Sequence, residues 1–251
     1  MPFSPEFKRR LKRHGVFVTL NKLRRKAHRA VCDIAAKLPI SSRWFGPPKG
    51  CHISTRKFFE GFKSDPANPA IFRPLIESEK ITIPAAKAVF GTEKEFFHTS
   101  HTYHTAEAFL ATLPWGRFHR YPFAIIAPDD RMLADISVGW GDDPKDHWIF
   151  DQLWLGKPHT LHGKTFHLGS GLNCSNLFHL TYDYLPSLDL LERAGMRLAE
   201  FDHIILEVYG SPFANAILDH LGIPREKIVD PREHPHLLCD CLLYTSPSPR
   251  D

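Results

Sequence analysis

Apolar residues recur at three- and four-residue intervals between Ser175 and Gly195, where Leu177, Leu180/Thr181, Tyr184, Leu188 and Leu191 predict a helix with one packed face. His179 and Asp183 fall one turn apart on another face, so the carboxylate is placed to orient the imidazole or raise its pKa. Pro186 follows at once. It removes the hydrogen bond to the Tyr182 carbonyl and predicts a kink or a restart just past the polar pair. Around this stretch strand and helix patterns alternate. Residues 164–168 read as a short strand and Gly169-Ser170-Gly171 as a flexible turn. Residues 203–208 form a near-continuous apolar run of the kind buried on both faces of a parallel sheet. Ser211 and Pro212 supply an N-cap and an N1 proline for a helix with the stripe Phe213, Ala216, Ile217 and Leu221, stopped at Gly222. Residues 227–229 offer the next strand. This β-α-β-α-β order predicts a parallel sheet with right-handed crossovers, a Rossmann-like half-domain. Its ligand crevice lies at the carboxyl ends of the strands, where residues 169–176 and 209–211 fall.

Upstream the pattern is less regular. Residues 123–127 and 132–138 read as two strands joined by the turn Pro128-Asp129-Asp130-Arg131, a hairpin pinned by turn chemistry. Residues 106–113 predict a short helix ending before Pro114. Residues 41–91 carry Gly46-Pro47-Pro48, Asp65-Pro66, Asn68-Pro69, Pro74 and Pro84, which predict a turn-rich connector with short extended pieces such as residues 80–83. Phe58, Phe59, Phe62 and Phe72 within it require cover, so the connector is expected to wrap over the body. In residues 8–38, Leu20, Leu23, Ala27, Ala30/Val31, Ile34 and Leu38 share a helical face, and Lys22, Arg24, Arg25, Lys26 and Arg29 cover the rest. A basic amphipathic helix suits an anionic membrane surface or a partner groove. The same pattern fits a solvated helix docked on the body, and both readings stay open.

Charge sharpens that picture. The 251 residues carry a formal net charge of +4, but residues 1–40 alone hold eleven Lys/Arg against Glu6 and Asp33, leaving the remainder net acidic. The basicity belongs to an arm, and without interleaved aromatics it argues against nucleic acid as the partner. With 43% hydrophobic and 24% charged residues the composition is globular, with a substantial core. No run approaches the length of a spanning helix and no signal-peptide core is present, so the expected location is cytoplasmic, with the arm able to hold the protein at the inner face of the membrane. Cys32, Cys51, Cys174, Cys239 and Cys241 lack paired metal spacing and are expected to be free thiols.

Two clusters raise the question of a metal. His98, His101 and His104 are spaced so that neither a helix nor a strand brings all three to one face, which favours solvated or supporting histidines over ligands. Asp142, Asp143 and Asp146 match no calcium loop and read as a solvated turn. The last eleven residues, Cys241 to Asp251, resemble a translated sequencing-library adapter and are expected to complete no element, so the natural frame would extend only to about Asp240 before an unseen continuation. The chain thus divides into a basic arm (1–40), a connector (41–119), an α/β domain (120–240) and this tail (241–251).

The sequence from residue 162 to 195, and on from 202 to 230, resembles glycosyltransferase family 61. That family carries a strand, an Asn-aromatic-aromatic-His helix with a downstream Asp and Leu-Pro, a second strand, and a helix ending in Leu-Gly-Ile. Asn176, Phe178, His179, Asp183, Leu185 and Pro186 fall on the motif, while Leu177 and Leu180 replace its usual large aromatics. The resemblance covers about residues 120–240. It implies an inverting transferase of the two-Rossmann-domain kind called GT-B, taking a nucleotide-sugar donor and a glycan acceptor without a metal cofactor, in surface or capsular polysaccharide assembly. This chain would be the acceptor-side half, inactive alone. His179 and Asp183 would be catalytic, with Asn176 capping the helix or binding an acceptor hydroxyl and Ser170, Gly171 and Ser211 lining the substrate crevice. Two alternatives stand beside it: a non-enzymatic scaffold at an anionic surface, its Rossmann-like domain a platform, and a metal-dependent hydrolase built on His98, His101 and His104.

Overall fold

The computed structural model describes residues 26–36, 47–85, 100–121, 123–137, 143–169, 176–207 and 211–246. A helix over residues 26–36 (α1) precedes β1 (Cys51–His52), α2 (Thr55–Gly61), β2 (Ile71–Ile76), β3 (Lys80–Ile83), β4 (His101–His104), β5 (Ala108–Pro114), β6 (Arg117–His119), β7 (Ala124–Ile126) and β8 (Met132–Leu133). Then come β9 (His159–Gly169), a π-helical turn (His179–Tyr184), α3 (Pro186–Arg193), β10 (His203–Leu206), α4 (Pro212–His220), β11 (Ile228–Val229) and β12 (His236–Ser246).

The main sheet runs β1-β8-β7-β6-β12-β9-β10-β11, with β5 also paired to β12 and β2 to β5. β12 divides it into two kinds of pairing. On one side β9, β10 and β11 follow in parallel, joined through α3 and α4. This is the predicted β-α-β-α-β unit, in a mixed α/β architecture compatible with a Rossmann-like fold. On the other side β5, β6, β7 and β8 pair antiparallel, with β7 and β8 forming the predicted hairpin at Ile126 and Met132.

β10 is apolar on both faces, and β9 contributes apolar residues to both, because each face has a core. Leu161 and Ile205 join Phe118, Ile125 and Leu237 in one cluster, while Phe166, Leu168, Ile204 and Leu206 join Leu180, Leu191 and Leu218 from the helices in the other. The connector does wrap the first: Phe58 is buried in it, and Phe59, Phe62 and Phe72 pack against it. β6 and β9 are separated by β12, yet the Phe118 and His167 rings lie 5.3 Å apart, so the sheet curls over this cluster.

Two expectations are corrected. Residues 106–113 hold no helix; Ala108–Pro114 is β5, because Phe109 and Leu110 point into different cores and the segment is buried on both faces. Residues 241–246, expected to complete no element, continue β12, where Leu242, Leu243 and Tyr244 are buried between β5 and β9. Cys32, Cys51, Cys239 and Cys241 are free thiols, as expected; Cys174 lies outside the described residues. Among the described residues no helix is long and apolar enough to cross a membrane.

Candidate functional site

The site is built where β9 ends. Gly169 closes that strand, and the Tyr184 ring lies so close above it that a Cβ there would fall 2.4 Å from the ring carbons. Only glycine permits this approach, which seats the π-helical turn on the end of the strand. Asn176 opens the helix: its Oδ1 accepts from the Phe178 N–H at 3.0 Å, and its carbonyl accepts from Leu180 N–H at 3.0 Å. The predicted capping role of Asn176 is therefore real. The Leu185 N–H reaches back to the Leu180 carbonyl at 3.0 Å, an i to i+5 bond that widens the turn. Pro186 then starts α3 at its first position, where no N–H donor is missed, so the predicted restart takes the form of a π turn running into a new helix. Leu180, Tyr184 and Leu191 are buried as the pattern required, but Leu177, at the exposed first turn, is not.

On this turn His179 Nδ1 meets Asp183 Oδ2 at 2.6 Å. The Asp183 side chain is 6% exposed and that of His179 22%. With the carboxylate accepting, Nδ1 carries the hydrogen, and Nε2 is the nitrogen turned away from Asp183. Phe178 and Tyr182 stand beside it, both exposed, with rings 5.0 Å apart. The arrangement can take a proton from a hydroxyl at Nε2 while Asp183 stabilises the cation formed, next to a flat apolar ledge.

A second polar pair lies at the same strand end and is absent from the sequence reading. The Glu207 N–H donates to the Gly169 carbonyl at 3.2 Å, directly after β10. Its carboxylate, 1% exposed, is gripped from both oxygens by Arg120, with Nε to Oε2 at 3.0 Å and Nη2 to Oε1 at 2.7 Å. Glu207 shares its face of β10 with Ile205, whose register partner on β9 is His167. The His167 ring stacks on Phe123 at 5.0 Å. The signal was available: a single carboxylate in the apolar run 203–208 has to be paired if that run is buried, though nothing in the sequence names Arg120 as its partner.

The remaining sequence candidates divide as follows. Ser211 is the N-cap residue of α4, beyond β10, as expected, although its hydroxyl forms no capping bond, and Pro212 stands in the first turn. Ser170 and Gly171 lie outside the described residues. His101 and His104 sit three apart on β4, hence on opposite faces, and His98 lies outside the described residues. Among the described residues no group of three potential ligands could hold a metal ion. Asp143 caps a short 3₁₀ turn through the Lys145 N–H, at 2.9 Å, and Asp146 accepts from Arg29, so both have structural work; Asp142 lies outside the described residues.

Another pair of histidines faces inward at the opposite end of β12. His119 and His236 are register partners with rings 5.4 Å apart, both buried, and His236 Nδ1 donates to the Gly156 carbonyl at 2.7 Å. Burial pushes their pKa values down, to about 4 for His119 and about 3 for His236, with Arg117 adding to the effect.

Comparison with protein-family models, curated proteins and solved structures returns no match.

Proposed function

We propose that this chain is the acceptor-side domain of an inverting glycosyltransferase of the family 61 kind, with His179 as the base and Asp183 as its partner. The observation that carries the reading is the 2.6 Å contact between His179 Nδ1 and Asp183 Oδ2, on a turn anchored to the carboxyl end of a parallel strand. His179 Nε2 takes the proton from an acceptor hydroxyl as its oxygen bonds to the anomeric carbon of the donor. The bond from that carbon to the diphosphate breaks on the opposite side, the nucleoside diphosphate leaves with the electron pair, and the configuration inverts. Asp183 stabilises the imidazolium, and the exposed Phe178 and Tyr182 rings offer the apolar face of a sugar a surface to lie on. The donor would be held by a second domain, and the reading needs no metal.

The test uses the complete protein, with nucleoside diphosphate release measured from UDP- and GDP-linked sugars in the presence of glycan acceptors. His179→Ala and Asp183→Asn are each expected to lower turnover by roughly 10²-fold or more while donor binding is retained. Wild-type turnover in both variants sinks the assignment.

A further inference from the structure

Helix α1 meets the body with its polar side. Arg29 donates from Nη1 to Asp146 at 2.7 Å and from Nη2 to the Lys145 carbonyl, and its Nε lies 3.6 Å from Asp151. His28 Nε2 bonds the Asp151 carbonyl at 2.8 Å, and Cys32, fully buried, completes the inner face. Ala27, Ala30, Val31 and Ile34 repeat at the i, i+3, i+4, i+7 spacing on the other side, and all four are exposed, Val31 by 52% and Ile34 by 63%. An amphipathic helix docked on a globular body ordinarily turns this stripe inward. Here polar contacts hold the inner face, and the apolar stripe is presented to solvent.

We propose that this stripe is a lipid-facing surface that lays the protein on an anionic membrane. Charge selects the occupant. Residues 1–40 carry eleven Lys/Arg against two acidic residues, an excess that anionic headgroups attract within a Debye length. A second copy of the chain would bring two such arms together across a self-complementary contact, where they repel. The exposed Lys26 and Asp33 lie on the same flank of the stripe, so the helix itself offers Lys26 for headgroup contact while the anionic attraction comes from the excess of basic residues in the arm. The contacts of Arg29 and His28 fix the helix on the body, so binding would orient the whole domain and not merely tether it. Attachment of this kind is independent of the transfer chemistry.

The experiment is co-sedimentation of the full chain with phosphatidylcholine vesicles, with and without phosphatidylglycerol. Wild type is expected to pellet with the anionic vesicles, to stay in solution with the neutral ones, and to be released by salt. The double variant Val31→Ser/Ile34→Ser is expected to lose about tenfold or more in partitioning, with an unchanged circular dichroism spectrum. Lys26→Glu, on an exposed position, is expected to weaken binding several-fold without touching the stripe. Equal partitioning of wild type and double variant, binding indifferent to phosphatidylglycerol, or no binding to either vesicle overturns the proposal. So does a dimer in sedimentation equilibrium that the double variant dissolves, which would give the stripe to a second copy.

Discussion

His179–Asp183 and Arg120–Glu207 lie on either side of Gly169, and they differ in what each leaves over for chemistry. In the first, one carboxylate oxygen meets one ring nitrogen at 2.6 Å, and the imidazole side chain remains 22% exposed. In the second, both carboxylate oxygens are matched to guanidinium nitrogens, and the carboxylate is 1% exposed. On the proposed function, the first moves a proton. The second is arranged to hold β6 and the end of β10 together across the curl of the sheet. Two ionic pairs at one strand end thus differ in exposure and in how the carboxylate is held: one imidazole contact on a partly exposed ring against a two-pronged guanidinium grip on a buried carboxylate.

That contrast can be broken most directly at Glu207. Glu207→Ala removes the buried carboxylate that Arg120 grips through two bonds, and chemical denaturation is expected to show a loss of about 2–3 kcal/mol, somewhat below the scale for a fully buried pair because the guanidinium is partly exposed. His179→Ala is expected to change stability far less and, on the proposed function, to abolish most turnover. A Glu207 variant of unchanged stability would erase the distinction between a lock and a reactive pair.

Acid provides a second separation. His119, next in sequence to Arg120, and His236 opposite it are held neutral by burial, with folded-state values of about 4 and about 3 against 6.5 in the open chain. Between those limits the unfolded chain binds the protons and the folded one does not. Their contribution is therefore fully present above about pH 6.5 and is lost progressively as the pH falls, by about 3 kcal/mol for each ring at about pH 4. Thermal melts from pH 7 to pH 4 should show this decline, and His236→Phe should make it shallower by about one ring's share. A wild-type melting temperature level across that range would contradict the assignment.

The smallest effect is expected at the residue between the two pairs. Gly169→Ala drives a methyl group into the buried Tyr184 ring, and a cost of about 1–3 kcal/mol is expected as the π-helical turn is pushed off the strand. Because the Glu207 N–H bonds the same residue's carbonyl, both pairs should feel it, and on the proposed function KM for the acceptor should rise alongside the loss of stability.

What could be read in the sequence follows range along the chain. His179 and Asp183 are four apart, and helical periodicity alone brings them together. Pro186, Asn176 and Pro212 also act within a turn or two of themselves, and each was legible. Arg120 and Glu207 are 87 residues apart, and only the order of strands across the sheet makes them neighbours. The strand β5 was misread because a short apolar run buried on both faces has no period of its own, and Ala-Phe-Leu-Ala-Thr-Leu satisfies a helix template as well as a central strand. The polar docking of α1 was illegible for the same reason as the ion pair: the face that packs was chosen by Asp146 and Asp151, more than a hundred positions away.

The place of β12 has a consequence for how the molecule is made. This strand comes latest of all those described, yet Leu237 and Leu238 bond β6 on one edge and β9 on the other. During synthesis the antiparallel and parallel halves must therefore wait, each with an unpaired strand edge, until the chain beyond His236 has emerged. Pairings between segments so distant in sequence close slowly, and open edges invite association between nascent chains. Expression at lower temperature or with chaperones present is expected to raise the soluble yield more for this chain than for one whose central strand is made first.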